Sequence, residues 1–269
     1  MSDALRYEWA RIRTIRSTWW LTGSALAVAL LISVLLGWVG HHDFSRNGAS
    51  AEDVEGLGPF LVTQFAASGQ IPSLVGFLVA MIGIFAWGHE YRHGMIRASL
   101  TALNSRSALW TAKYVVVALW VAVVSLVAML MSGLIGLVFL HRWVTVFSSQ
   151  TWSVIGWQML STVLLTWLAM AFTALTRSQA FALVVIFLWP LLIESLFNLF
   201  FVLVPGLRGH QDVLRFLPFA SQRRMVDVLT DATSTFGEPL SAVGGAVVFG
   251  SVTVALMAAS YALFARRDA

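Results

Sequence analysis

The 269-residue sequence has no cysteine, a single lysine (Lys113), six prolines and few charges, with Asp, Glu, Lys and Arg together making up 11%. The missing cysteine excludes disulfides, a thiolate nucleophile and any Cys-based metal site. The only lysine follows Thr111-Ala112, so there is no G-x-x-x-x-G-K-[ST] phosphate loop and no ATP hydrolysis by that route. Nothing between the apolar stretches is long enough for a separate soluble domain. A cleavable secretory signal does not fit either, because the first apolar run is long and follows a charged amphipathic segment. Internal repeats and low-complexity tracts are also missing.

What is present is apolar. Hydrophobic residues make up 58% of the chain and the mean hydropathy is +0.80. About 20 apolar residues cross a bilayer core as a helix. Six stretches of that kind fall near 19–39, 72–88, 109–140, 151–176, 179–204 and 239–264. The fold class is therefore an all-α polytopic membrane protein, one six-span domain over residues 1–269. The third stretch exceeds what a span needs, which implies tilt or an extension beyond the membrane.

Lys and Arg in short loops set orientation. An even number of spans places both termini on one face. That face carries eleven basic residues (Arg6, Arg11, Arg13, Arg16, Arg92, Arg97, Arg106, Lys113, Arg177, Arg266, Arg267) against six on the other (Arg46, Arg142, Arg208, Arg215, Arg223, Arg224). The expectation is a cell membrane protein with both termini cytoplasmic. The isoelectric point of about 10.1 is then a topology signal, and no soluble basic face exists to bind nucleic acid.

Residues 2–17 read as an interfacial helix. Leu5, Trp9, Ile12 and Ile15 share a face, with Arg6 and Arg13 flanking it and Arg11 further round, turned toward lipid phosphate. The plainer alternative is a positively charged start to the first span. The loop near 40–71 is polar and acidic with a break at Pro59. The segment 205–238 mixes apolar residues with charge. It reads either as short helices packed on or dipping into the outer leaflet, or as an ordered loop.

One charged island, His89-Glu90-Tyr91-Arg92-His93-Gly94-Met95-Ile96-Arg97, follows the second apolar stretch. It satisfies H-E-x-x-H, in which two histidines on one helix face hold zinc and the glutamate polarises a bound water. A membrane-embedded zinc protease using His89, Glu90 and His93 is therefore an alternative. Against it stand the adjacent Gly94, the positive charges of Arg92 and Arg97, and the lack of an evident third ligand. With Ser99-Leu100-Thr101-Ala102-Leu103, Glu90 to Arg97 also suit a short amphipathic helix lying across the membrane surface, a cytosolic coupling element over 89–106 between two spans, able to take up force from a soluble partner. Ser107 is a candidate N-cap for the helix that follows.

The segments Tyr7-Glu8-Trp9-Ala10-Arg11-Ile12-Arg13-Thr14-Ile15-Arg16-Ser17-Thr18-Trp19-Trp20 and Glu90-Tyr91-Arg92-His93-Gly94-Met95-Ile96-Arg97 through Ala112-Lys113 resemble two motifs of one known family. These are the membrane subunits of ABC-2-type transporters, particularly small actinobacterial antibiotic-export and immunity permeases. The six-span layout and the Pro190…Glu194 stretch are similar too. Arg11 stands where that group usually has lysine, and Asn104-Ser105 replaces a common Pro-Arg pair. The resemblance implies a half-transporter in the bacterial cytoplasmic membrane that moves a drug, antibiotic, peptide or lipid. It implies a second permease copy (a homodimer or a close paralogue) and two copies of a separate ATPase, which bind the ATP and Mg²⁺, with no cofactor in this chain. It further implies that Glu90, Tyr91, Arg92, Gly94, Ile96 and Arg97 form the main coupling helix and that the tight turn near Arg177 makes a second, minor contact, the alternative for Arg177 being a positive-inside anchor.

Glu194 is the only acid within a span, and such residues usually face protein or a water-filled cavity. With Trp189 and the Pro190 kink it is a candidate gate or pathway contact. The alternative is a structural clamp to Arg208 or Arg215. A secondary transporter driven through Glu194 is a third possibility, made less attractive by the lack of repeat symmetry. Trp residues near the span ends read as interfacial belts.

Overall fold

The computed structural model describes residues 2–64, 66–68, 73–92, 94–96, 99, 101, 105–227 and 240–266. Among them there is no strand. Helix α1 (Ser2–Thr14) precedes α2 (Arg16–Asn47), α3 (Ala51–Val54), α4 (Leu57–Val62) and α5 (Leu74–Arg92). Then come α6 (Arg106–Leu140), α7 (Ser149–Thr176), α8 (Gln179–Leu188), α9 (Glu194–Leu203), α10 (Pro218–Arg224) and α11 (Ala242–Arg266). Six helical segments are long and apolar enough to cross a membrane: Arg16–Asn47, Leu74–Arg92, Arg106–Leu140, Ser149–Thr176, Gln179–Leu203 and Ala242–Arg266. The chain is a multi-pass membrane protein. At 1.5 Å per residue α2 is about 48 Å long and α6 about 52 Å, so both project beyond a core about 30 Å thick.

The break between α1 and α2 is local. Ile15 adopts an extended conformation (φ −77°, ψ 119°), and the Trp19 indole donates to the Arg13 carbonyl at 2.8 Å. A carbonyl orphaned at the end of α1 is thereby satisfied. At the other end of the bundle, Ser50 and Asp53 form a reciprocal capping box that starts α3. The Ser50 hydroxyl, and then its backbone N–H, hold the Asp53 carboxyl below the usual aspartate range.

The 40–71 connection is more structured than a polar loop. Pro59 lies in the first turn of α4, where a missing N–H costs nothing. That helix buries Leu61 and Val62 in an apolar cluster with Met129, Val146 and Ile155.

The second and fourth spans lie at the centre of the bundle, their apolar windows 61% buried, against 22% for the first and fifth and 17% for the sixth. Hydroxyls within the spans bond to their own helix. Thr162, Thr166 and Thr173 each donate to the carbonyl four residues earlier at 2.8 Å. These hydroxyls then need no water.

The fifth span changes pitch midway. Pro190 has no N–H for the helical ladder, and Trp189–Ile193 widen into a π-helical turn in which the Glu194 N–H reaches the Trp189 carbonyl. Beyond it, Pro205–Phe216 form a 3₁₀ segment and α10 tucks in with Phe219 and Ser221 buried. Phe219 packs against Phe77 and Phe249 in the core. Of the two sequence readings for 205–238, packed short helices describe residues 205–224; residues 228–239 lie outside the described residues.

Candidate functional site: a buried charge cluster beneath an exposed turn

Four charged side chains from three helices converge where α5 ends. The face of α1 that meets the protein is Ala4, Glu8 and Ile12, all buried, a spacing of four that stacks them along one side. Lys113, in the second turn of α6, donates to Glu8 Oε1 at 2.8 Å and to Glu90 Oε1 at 2.9 Å. Arg11 donates to Glu8 Oε2 at 3.1 Å and to the Ala86 carbonyl at 2.9 Å, and it also ion-pairs with Glu90. Lys113 further sits 5.1 Å from the centroid of the Trp87 ring.

Glu90 and Lys113 are fully buried and Glu8 is 3% exposed. Two acids and two bases leave the cluster neutral, the condition under which buried charges are tolerated. It ties the end of the second span (Glu90), the third span (Lys113) and the N-terminal helix α1 (Glu8, Arg11) to one another. Ser99, beyond the turn, hydrogen-bonds the Tyr7 hydroxyl at 3.0 Å and donates to Glu90 Oε1 at 3.5 Å.

Two expectations change here. Arg11 points inward to carboxylates; it does not face lipid phosphate. The second span continues through Arg92, so Glu90, Tyr91 and Arg92 are its last turn and do not begin a separate surface helix. Gly94 then reverses the chain. It has φ +63°, its N–H bonds the Tyr91 carbonyl at 3.5 Å, and the Met95 N–H bonds the Glu90 carbonyl at 3.0 Å. This is the Schellman arrangement, with glycine where a left-handed residue is required. Past it, Ile96 is buried in the main core cluster, whereas Arg92 and Met95 are exposed. Arg97 and His93 lie outside the described residues. The N-cap of α6 is Ser105, whose extended backbone lets its hydroxyl accept from the Ala108 N–H at 3.3 Å, and Ser107 falls inside the first turn.

Arg177 adjoins this turn. It closes α7 in a left-handed conformation (φ 55°), its N–H bonding the Thr173 carbonyl at 2.8 Å, and Ser178 caps α8 directly after it. Its guanidinium lies 5.6 Å from the Tyr91 ring. Two residues on, the Gln179 side chain packs so tightly on Gly88 that a Cβ there would be 2.0 Å from Gln179 Cγ. The two turns on this side of the bundle are in direct contact.

Glu90, the general base of the zinc reading, has its carboxylate engaged by Lys113 and Arg11, and His93 lies outside the described residues. His89 pairs through Nε2 with the Ser17 hydroxyl at 3.2 Å. Among the described residues no group of three His, Asp or Glu side chains could hold a metal ion.

Glu194 is fully buried in the fifth span, about 23 Å along the helix from Gln179. Its described partners are Phe219 and Arg223, and not Arg215; the Arg208 side chain lies outside the described ones. Oε1 accepts the Phe219 N–H at 2.7 Å and Oε2 lies 3.6 Å from the Arg223 guanidinium. Leu217, at the N-cap of α10, has no side-chain acceptor, so a carboxylate from another helix takes that role. Burial lowers the pKa of Arg223, an effect opposed by Glu194. Beside this pair is a cavity of about 20 Å³ lined by Ser73, Gln158, Ser161, Thr162, Gln222 and Arg223, room for roughly one water. Trp189 is half-buried against Phe172 at 6.3 Å between ring centroids.

The sequence profile of the family described as "ABC-2 family transporter protein" matches residues 4–194. That stretch contains α1 from Ala4 onward, the charge cluster, both turns and Glu194. No curated protein matches the sequence.

Proposed function

Because the chain belongs to the ABC-2 family of transporter proteins, we propose that it is the membrane-spanning subunit of an exporter driven by a separate ATPase. The observation that carries this reading is the Glu8–Arg11–Glu90–Lys113 cluster directly beneath the exposed turn at Arg92, Gly94 and Met95. A soluble ATPase docks on that turn and on Arg177, and it alone binds ATP and Mg²⁺. Glu90 acts from inside as the anchor that makes the turn and the third span move together. Tyr91 and Arg177 join the two turns so that both receive the same displacement.

Closure of the ATPase tilts the second and third spans, and the membrane domains alternate between inward- and outward-facing states. The face with the termini is cytoplasmic, in keeping with its eleven basic residues, and the membrane is the bacterial cytoplasmic one. The cargo is an amphipathic compound such as a drug, antibiotic, peptide or lipid, which passes the Trp189–Pro190–Glu194 region near the far side. Two permease copies pair, together contacting two ATPase copies. The weakly buried first, fifth and sixth spans offer apolar surface to the second copy and to lipid.

Co-expression with a candidate ABC-type ATPase from a neighbouring gene tests this reading. The expected result is a stable complex that hydrolyses ATP and loses coupling in Glu90→Ala. A chain that purifies alone, with no ATPase bound under any nucleotide condition, would overturn it.

A further inference from the structure

Helix α1 has two working faces. On one, Glu8 and Arg11 enter the buried cluster. Arg6 and Arg13 lie two turns apart on a single stripe, roughly 140–160° round the helix from Glu8 and adjacent to Trp9. Both are exposed, as is Arg16 at the start of α2, and none of the three has an ion pair among the described residues.

Aromatic residues fix how deep this stripe sits. Trp9 and Trp19 are exposed, and both pack edge-on against Trp120 of the third span at 5.9 and 5.3 Å. Trp20 and the stripe Val115, Leu119 and Val123 are exposed as well. Indoles beside an exposed apolar band mark the level of the lipid headgroups. Guanidinium groups next to them stand at the level of the phosphates.

We infer that Arg6, Arg13 and Arg16 form a binding surface for anionic phospholipid headgroups, and that lipid charge is felt by the buried cluster through α1, which carries Arg6 and Arg13 as well as Glu8 and Arg11. The inference rests on the proposed function only for what the cluster then transmits. An acidic protein surface is the competing occupant. The tryptophans beside the arginines and the apolar band continuous with them favour lipid, since a soluble partner would leave that band uncovered.

The test uses the full chain in nanodiscs of phosphatidylcholine with a minor fraction of phosphatidylglycerol. Native mass spectrometry after extraction counts the phosphatidylglycerol that stays bound. Wild type retains it in preference to phosphatidylcholine, and each of Arg6→Gln and Arg13→Gln weakens retention roughly fivefold, as removal of one near-surface cation predicts. Arg46→Gln, at the opposite end of the first span, leaves retention unchanged. Equal retention in wild type and the Arg6→Gln/Arg13→Gln variant overturns the lipid site, as does loss of ATPase binding by that variant in lipid-free detergent with retention intact.

In a second arm the complex with its ATPase is assayed across phosphatidylglycerol fractions. Turnover depends on the fraction in wild type and is flat in the double variant. Turnover independent of lipid charge in wild type overturns the link to the cluster. If no ATPase binds the chain at all, the proposed function fails while the retention arm still reads the lipid site.

Discussion

Lys113 and Glu8 are separated by 105 residues of sequence, yet the lysine Nζ stands 2.8 Å from the glutamate Oε1 in a fully buried contact. The same Nζ reaches Glu90 at 2.9 Å. A single ammonium group thus joins α1, the second span and the third span. Charges so placed are costly to bury but rigidly directional once paired.

Breaking this cluster one residue at a time should be worse than removing it whole. Lys113→Met leaves Glu8 and Glu90 with only Arg11 between them, and a loss of about 3–5 kcal/mol is expected from an uncompensated buried charge. Thermal unfolding of the purified chain followed by size-exclusion chromatography reads this. Replacing Glu8, Arg11, Glu90 and Lys113 together with Gln, Met, Gln and Met should restore most of the stability but not transport. Full transport by the neutral variant would show that the cluster only holds the fold together.

Gly88→Ala tests the contact between the two turns. Its methyl group would overlap the Gln179 side chain, pushing the fifth span away from the second. Lower stability is expected, with recovery in Gly88→Ala/Gln179→Ala, where the obstructing atoms are gone. Failure of the second change to rescue the first would place the strain elsewhere.

A Cβ at Gly94 would meet open space, but the backbone there has a φ of +63°, so Gly94→Ala costs conformation and creates no clash. The penalty is roughly 1–2 kcal/mol for a left-handed non-glycine residue, borne by the turn alone. The chain should fold normally, while ATP-driven transport by its complex falls more than tenfold. Unchanged transport would mean that the turn's shape is not read by the partner.

Glu194→Gln keeps an oxygen to accept the Phe219 N–H but removes the charge opposite Arg223, whereas Glu194→Ala removes both. Transport should fall in Glu194→Gln with assembly intact, and stability should fall in Glu194→Ala by about 1 kcal/mol, the usual worth of a helix cap. Wild-type transport in Glu194→Gln would leave Glu194 a purely structural cap.

Much of the fold was legible in the sequence because length and hydropathy alone determine what crosses a bilayer. Each apolar run is a helix, and the island at Glu90–Gly94 lies at the end of the second. The charge cluster was not. Glu8 interrupts an otherwise apolar Ala4–Ile12 stripe and Lys113 is a lone cation just inside an apolar stretch. Both are local anomalies, but pairing them requires knowing that α1 lies along α6. Glu194 stood out as an intramembrane acid, but its partner did not, since Arg223 reaches it only because α10 folds back into the bundle. Ser105 displaced Ser107 as the cap because helix starts are set by backbone geometry, which two nearby serines leave open.

The proposed function places a separate ATPase on the turns around Met95 and Arg177. The sequence has no cysteine, so single cysteines can be introduced without background. Met95→Cys, Arg177→Cys and Arg46→Cys would each carry a photoreactive maleimide in a chain co-expressed with the ATPase. ATPase capture is expected from positions 95 and 177 and none from 46, at the far end of the first span. Capture from 46 alone, or from none of the three while a complex is present, would contradict that placement.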